Sequence, residues 1–441
     1  MSKKEEGNKS TRRDLARSAV MAYTAAAMGV PRNLLARAIP DTGQMGSMDS
    51  TGAPFLRDTI DAEYYTDEAR WAVDERLVAD HFWQMVDHES RIPNAGDFFV
   101  FEFGRSESIL IVRGKDNEIR GFYNVCRHRG SRLCRHDADE IPGDPRLSVK
   151  QLGQSGSSPV FRCPYHAWTY DTEGSLIYAY GMQEDFDPAD NGLLPCHLRT
   201  ADGFIFVNLS REPEPPEFES AVEPFRRDVG GPHGTADLKV GERVYVPMHA
   251  NWKLALENFL ECYHCGPSHD YLCYVFPNID LSIPEAQRPR GGMPEGFVSA
   301  TLDGKPAAPL LPAFQRRTGR KVGSDTATGW STGYWSPNED YVFAVRFTPR
   351  DVDLTDVECT WLVHPDAKRG VDYDAEKLKE VWLVTLLEDI WLCENNHAGI
   401  CSGAYRPGRY ATHEIGSVLP ANFIHWYMNA VAGDVGRVMP Y

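Results

Sequence analysis

The sequence predicts an α+β chain in two parts: a small all-β domain, then a larger domain in which an antiparallel sheet is combined with helices. Three observations carry this. Short runs rich in aromatic and β-branched residues, set between glycine or charged breaks, recur at 98–103, 108–113, 121–125, 160–162, 167–170 and 204–209. After 206 the pattern changes, with strand-like runs at 244–248, 342–347 and 358–363 alternating with helical spacing at 252–264 and 375–396. Between the two parts, Arg211-Glu212-Pro213-Glu214-Pro215-Pro216 reads as a semi-rigid connection. The expected organisation is therefore an N-terminal extension over 1–50, a helical segment over 51–79 that packs on the second domain, the β domain over 80–205, and the larger domain over 206–441. Apolar spacing at Trp71, Leu77, Phe82, Trp83 and Val86 extends the helical expectation across 64–87.

Composition narrows the function. In 441 residues, Lys+Arg 46 stand against Asp+Glu 63, a net charge of −17 that opposes binding to phosphate backbones or anionic membranes. No apolar run approaches the length of a membrane span. Thr11-Arg12-Arg13-Asp14-Leu15 resembles an export signal only faintly, because Asp14 interrupts it and Arg32 and Arg37 follow closely. The chain is expected to be cytoplasmic. Its ten cysteines are too few for a disulfide scaffold in a chain of this size, and several lie beside histidines, which points to metal chemistry.

The strongest signal is a pair of loops, Cys126-Arg127-His128-Arg129-Gly130 and Cys163-Pro164-Tyr165-His166. Together they offer two thiolates and two imidazoles, the ligand set of a Rieske [2Fe–2S] cluster, in which two cysteines hold one iron and two histidines the other. Zinc also accepts two cysteines and two histidines, but zinc fingers pair like with like, whereas here each loop is mixed.

A second constellation runs from Asn251-Trp252-Lys253 through Glu257-Asn258-Phe259-Leu260-Glu261-Cys262-Tyr263-His264 to His269. His264 and His269 can face one metal if the helix breaks between them, and Gly266 and Pro267 supply the break. Two histidines and a carboxylate form the facial triad of oxygen-activating Fe(II) sites. Glu388 and Asp389 compete for the third place, in an apolar run where an unpaired carboxylate is costly. Cys262 and Cys265 form a Cys-x-x-Cys that also suits a thiol redox pair or zinc.

Taken together, these loops and the histidine pair resemble the α subunit of a Rieske non-haem iron oxygenase, whose loops read Cys-x-His-Arg-Gly and Cys-Pro-Tyr-His-x-Trp. The resemblance implies a [2Fe–2S] cluster on Cys126, His128, Cys163 and His166. It also implies a mononuclear Fe(II) on His264, His269 and Asp389, with Asp389 preferred over Glu388, and Glu261 and Asn258 as catalytic residues. Most relatives place Asp where Glu261 stands, a carboxylate linking the neighbouring subunit's cluster histidine to the iron histidine. Glu-Cys-Tyr-His-Cys resembles the branch that oxidises quaternary ammonium compounds such as glycine betaine, carnitine and stachydrine. A separate flavin/iron–sulfur NAD(P)H reductase, with or without a ferredoxin, is implied, as is a homotrimer acting on a small molecule and O₂. The interval between His128 and Cys163 is longer than usual, so 137–159 is expected to be a surface insertion, with Cys134 and His136 as loop residues. Ala167 stands where Gly is commoner, and His397 where relatives often carry Gln.

Three activities remain open on the sequence: hydroxylation or N/O-dealkylation, including that of an aryl amide; cis-dihydroxylation of an aromatic ring; and electron carriage without oxygenation. The last has no use for a second metal constellation. Trp330, Tyr334, Trp335, Tyr341, Phe343, Trp361 and Tyr405 are candidates for a substrate pocket, where aromatic faces suit a quaternary ammonium or an arene.

Overall fold

The computed structural model describes residues 45–48, 54–135, 151–289, 292–315, 328–330, 332–414 and 420–432. Met45–Met48 of the expected extension pairs antiparallel with Pro54–Leu56, which lies in the segment expected to be helical and is a strand instead. Asp67 then caps helix α1 (Glu68–His81), its carboxylate accepting from the N–H groups of Ala69 and Arg70. The helix expected to run to 87 stops at His81. Trp83 and Met85 join one apolar cluster while Phe82 and Val86 join another, so the chain here alternates faces as strand β1 (Gln84–His88). The spacing read as helical is the period of a strand buried on both faces.

Strands β2 (Asp97–Phe103), β3 (Glu107–Arg113), β4 (Ile119–Tyr123) and β5 (Ser155–Ser157) form an antiparallel sheet in the order β4-β3-β2-β5. A second sheet is built from β6 (Val160–Arg162), β7 (Thr169–Asp171) and β8 (Leu176–Tyr178), in the order β8-β7-β6. Phe98, Val100, Leu110 and Val112 of the first sheet pack with Phe161, Trp168 and Tyr170 of the second. Strands β9 (His197–Ala201) and β10 (Phe204–Asn208) close a third sheet, β9-β10-β1.

The expected insertion over 137–159 is partly sheet, because β5 pairs with Asp97–Phe99 and Leu152 bridges Cys134. Cys134 is likewise no loop residue. It is fully buried, its backbone N–H and C=O are bonded by the Asn124 amide at 2.9 and 2.7 Å, and burial pushes its thiol up to about 12. His136 lies outside the described residues.

The larger part is organised by strands β11 (Lys239–Met248), β12 (Thr328–Trp330), β13 (Gly333–Pro337), β14 (Tyr341–Asp351) and β15 (Leu354–Val363). They form one antiparallel sheet in the order β11-β15-β14-β13-β12. Alternation along β14 sorts its side chains: Phe343, Val345 and Phe347 face the helices, whereas Val342 and Ala344 face a second cluster with Phe204, Phe225 and Trp335. Over the first face lie α2 (Trp252–Phe259), α3 (Ala375–Ile400) and α4 (Pro420–Val431). Helix α2 ends five residues before the expected 264, because the Glu261 carboxylate takes the N–H groups of Tyr263 and His264 and turns the chain. Helix α3 runs one turn beyond the expected 396. No helix among the described residues is long and apolar enough to cross a membrane.

The two parts share a polar seam. Gly104 N–H bonds Pro349 C=O at 2.9 Å, and buried Asp87 holds Arg91 at 2.6 Å and Arg243 at 3.2 Å. Helices α1, α2 and α4 are tied by Asp74, which pairs with fully buried Lys253 and accepts from Tyr427 Oη at 2.7 Å and Trp252 Nε1 at 3.2 Å. Removing one member of such a pair strands a charge in the core. Asp74→Ala is therefore expected to cost about 3–5 kcal/mol, read as a lower denaturation midpoint, whereas Arg227→Ala, at an exposed position, should leave that midpoint unchanged.

Candidate functional site

The two cluster loops are local repeats of one turn. In each, the cysteine C=O accepts the N–H four residues on, Gly130 at 2.9 Å and Ala167 at 3.1 Å. The cysteine N–H donates five residues on, to Ser131 and Trp168, both at 2.8 Å. The turn requires a left-handed residue at its fourth step, and Gly130 and Ala167 both adopt one, with φ of 78° and 60°. Ala167 thus pays the steric penalty that Gly130 avoids, about 1–2 kcal/mol.

The first loop follows β4 and the second joins β6 to β7, which brings the four side chains together. Cys126 and Cys163 are buried at the base, while His128 is exposed and His166 half-buried at the tips. The imidazole centroids lie 4.7 Å apart, and His128 stacks on Trp168 at 4.9 Å and 10°. Two inner thiols and two outer imidazoles fit a cluster with its cysteine iron inside and its histidine iron toward the surface. Tyr170 went unrecognised in the sequence. Its hydroxyl lies 3.4 Å from Cys126 Sγ and accepts from Arg127 N–H at 3.0 Å, a polar contact of the kind that tunes cluster potential. A cleft lined by His128, His166, Trp168 and Asp185, among others, runs along the imidazole edge.

The second site lies where α2 ends over α3. The start of α2 is anchored by its Asn251 cap, whose own N–H faces His397 Nδ1 at 3.5 Å; that contact gives His397 a place in the fold. Two residues past α2, Glu261 Oε1 meets His264 Nδ1 at 2.5 Å. Glu388 Oε2 meets His269 Nδ1 at 2.8 Å. A carboxylate behind each ring holds the proton on Nδ1 and leaves the Nε2 lone pair free to bind a metal.

Both Nε2 atoms converge on Asp389 Oδ1, 3.3 Å from His264 and 3.0 Å from His269. Yet His269 Nε2 and Asp389 Oδ1 are buried without a hydrogen-bond partner, being close but misaligned. Burial, the largest influence on His264, pulls its pKa down, and the Asp389 and Glu261 carboxylates more than offset it, lifting it to about 10. His269 is raised by the same balance, with Asp389 and Glu388 outweighing burial. Orphaned donor atoms, three carboxylates and two oriented imidazoles fit a divalent cation held by two histidines and one carboxylate.

The adjacent acids thus divide the labour, with Asp389 facing the two Nε2 atoms and Glu388 standing behind a ring. Cys265 Sγ also lies within 4.8 Å of the His264 and His269 donors, while Asp389 Oδ1 approaches both Nε2 atoms at 3.0–3.3 Å. Asn258 Nδ2 is 3.4 Å from His264 Nε2, on the metal-facing side of that ring.

Of the seven candidate pocket aromatics, Trp335, Tyr341, Phe343 and Trp361 are packed in the core, and the Trp330 side chain lies outside the described residues. Tyr405 bonds Ile60 C=O at 3.0 Å. Tyr334 alone is half-buried on the helix-facing side of the sheet.

Two family profiles match the chain: the Rieske [2Fe-2S] domain over residues 82–191, and the catalytic domain of the ring-hydroxylating alpha subunit over 235–432. The glycine betaine monooxygenase oxygenase subunit of Chromohalobacter salexigens is 32% identical, over 92% of this chain and 94% of its own. This chain belongs to the Rieske oxygenase α-subunit family. It is the terminal oxygenase component of a Rieske system, and its groups are a Rieske [2Fe–2S] cluster and a mononuclear iron. Among solved structures, a quaternary ammonium Rieske monooxygenase with γ-butyrobetaine superposes with a TM-score of 0.62 at 24% identity, covering 85% of this chain and 94% of that one. Naphthalene 1,2-dioxygenase from Rhodococcus sp. superposes with a TM-score of 0.63 at 20% identity, covering 86% and 95%. These likenesses establish the shared fold.

Two expectations follow from the loops and the carboxylates. Ala167→Gly should raise stability, and Gly130→Ala, whose added Cβ meets nothing within 4 Å, should lower it, each by about 1 kcal/mol and with the cluster spectrum unchanged. Asp389→Ala should abolish mononuclear iron while the cluster persists, whereas Glu388→Gln should weaken iron binding by about 10–100-fold, both read by metal analysis against the cluster absorbance.

Proposed function

We propose that this oxygenase removes a methyl group from a small quaternary ammonium compound of the betaine type. The observation that carries the reading is the full-length likeness to glycine betaine monooxygenase oxygenase subunits, together with Glu261 behind His264. In this reading Cys126, His128, Cys163 and His166 hold the cluster, and His264, His269 and Asp389 hold the iron. The iron, when bound, activates O₂ with electrons delivered through the cluster. Glu261 keeps the His264 proton on Nδ1 and links that ring to an incoming cluster histidine. Asn258 lines the metal-facing side of the same ring. Hydroxylation of an N-methyl carbon gives a carbinolamine, which collapses to the tertiary amine and formaldehyde. For glycine betaine, the balance is one O₂, one NAD(P)H and one proton consumed, with dimethylglycine, formaldehyde and water formed.

The reading includes a cytoplasmic homotrimer in which each cluster serves a neighbour's iron, and a flavin/iron–sulfur reductase as electron donor, with or without a ferredoxin. The test is a single turnover of chemically reduced protein under ¹⁸O₂ with betaines, carnitine, N-alkyl aryl amides and aromatic acids. Loss of a methyl group with formaldehyde is expected; a ring diol carrying two labelled oxygens would overturn the reading in favour of a dioxygenase. Glu261→Gln should retain cluster and iron yet lower coupled turnover by about 10²-fold or more, the scale of a lost group that acts in the reaction. Full turnover in that variant would remove Glu261 from the electron path.

A further inference from the structure

Tyr334 stands apart from the other aromatics of the sheet. It is the second residue of β13, on the face that carries Phe343 and Phe347, beneath α2 and α3, and it is half-buried where its strand neighbours Gly333 and Trp335 are buried. Its hydroxyl makes no hydrogen bond among the described residues, unlike that of Tyr341, which is bonded to Ala300 C=O at 3.0 Å and Trp382 Nε1 at 3.1 Å.

Two further rings meet it, Phe259 at 6.0 Å and 65° and Trp382 at 6.5 Å and 57°. Both come from the helices that build the iron site. Phe259 is the last residue of α2, next to Asn258, and Trp382 lies two turns before Asp389 on the buried face of α3. Trp382 is locked by stacking on Phe343 at 5.0 Å and 7°, and Phe259 packs on Phe347 at 4.7 Å. Both rings meet Tyr334 at steep angles, and the partial exposure of Tyr334 leaves its hydroxyl accessible beside them. Burial, then the nearby Cys262, Cys265 and Asp389, all push the Tyr334 hydroxyl pKa up.

We propose that Tyr334, with Phe259 and Trp382, forms the specificity corner that receives the trimethylammonium group, and that the Tyr334 hydroxyl donates to the substrate's carboxylate. This rests on the proposed demethylation of betaines. Ring faces attract a cation but not its neutral isostere of the same shape, so the corner discriminates charge and not size.

The test compares glycine betaine with 3,3-dimethylbutanoate, in which carbon replaces the nitrogen, by calorimetric titration of the holoenzyme. Wild type should prefer the betaine, and Tyr334→Leu should reduce that preference by about tenfold, the scale of one partly desolvated cation–π contact. Tyr334→Phe keeps the ring, so it should keep the preference while weakening both ligands alike. Phe259→Leu, at a half-buried position, carries the same readout should Tyr334→Leu fail to fold. An unchanged preference in the leucine variants, or none in wild type, would overturn the corner. Absence of methyl loss from every N-methyl compound in the wild-type single turnover would overturn the betaine reading, an outcome separable from a functional demethylase that ignores Tyr334.

Discussion

The site depends on one constraint: two imidazoles must present unprotonated Nε2 atoms to the same point while a buried carboxylate arrives there from a distant part of the chain. Neither histidine can do this unaided, since a free ring rotates and exchanges tautomers. Glu261 and Glu388 remove that freedom by accepting from Nδ1. The arrangement then requires α3 to lie in register with the end of α2. Cys393 Sγ reaches Leu254 C=O at 3.5 Å, Glu394 accepts His249 N–H at 2.8 Å, and His397 faces the cap of α2. A helix as long as α3 delivers these contacts and Asp389 as one rigid body.

The cluster end solves a different problem. Its four candidate ligands come from short loops, and geometry there is enforced by repeating a single hydrogen-bonded turn on two sheets that share a core. The cost is local and visible at Ala167, a non-glycine residue held in the left-handed region. Such strain survives where the surroundings over-determine the backbone, and here the Cys163–Trp168 and Cys163–Ala167 bonds do so. Exposure of His128 follows from the same economy, because an imidazole at a loop tip is where electrons can enter or leave.

Much of this is legible in the sequence because ligand spacing is a local demand. Both mixed loops, the histidine pair and the acidic pair can be read by eye, and so can nine of the labelled strands, whereas β1, β5, β8, β9, β12 and β13 were not expected. What could not be read depends on long-range phase. Whether Glu388 or Asp389 faces the imidazoles is set by the rotation of α3 about its axis, which the buried spacing of Leu378, Trp382, Leu386, Asp389 and Cys393 specifies only once the helix is packed. The residues 82–88 misled because apolar side chains serving two cores mimic helical spacing over so short a span. Cys134 misled for the opposite reason: a polar neighbourhood conceals a buried residue whose polar backbone groups are matched by Asn124.

The same phase argument separates the aromatics of β13. Tyr334 and Trp335 are adjacent and chemically similar, yet pairing with Val345 and Ala344 sends them to opposite faces. Trp335 vanishes into a cluster with Phe204 and Phe225, where it stabilises the junction between β10 and the large sheet. Tyr334 meets α2 and α3, the helices that lead to or carry the candidate metal ligands. A slip of one residue in the β13–β14 register would exchange them, placing a bulkier indole beneath the iron site and a phenol hydroxyl in a dry core with no partner of its own. Strand register thus decides which of the two adjacent rings lies beneath the helices and which is buried between the sheets.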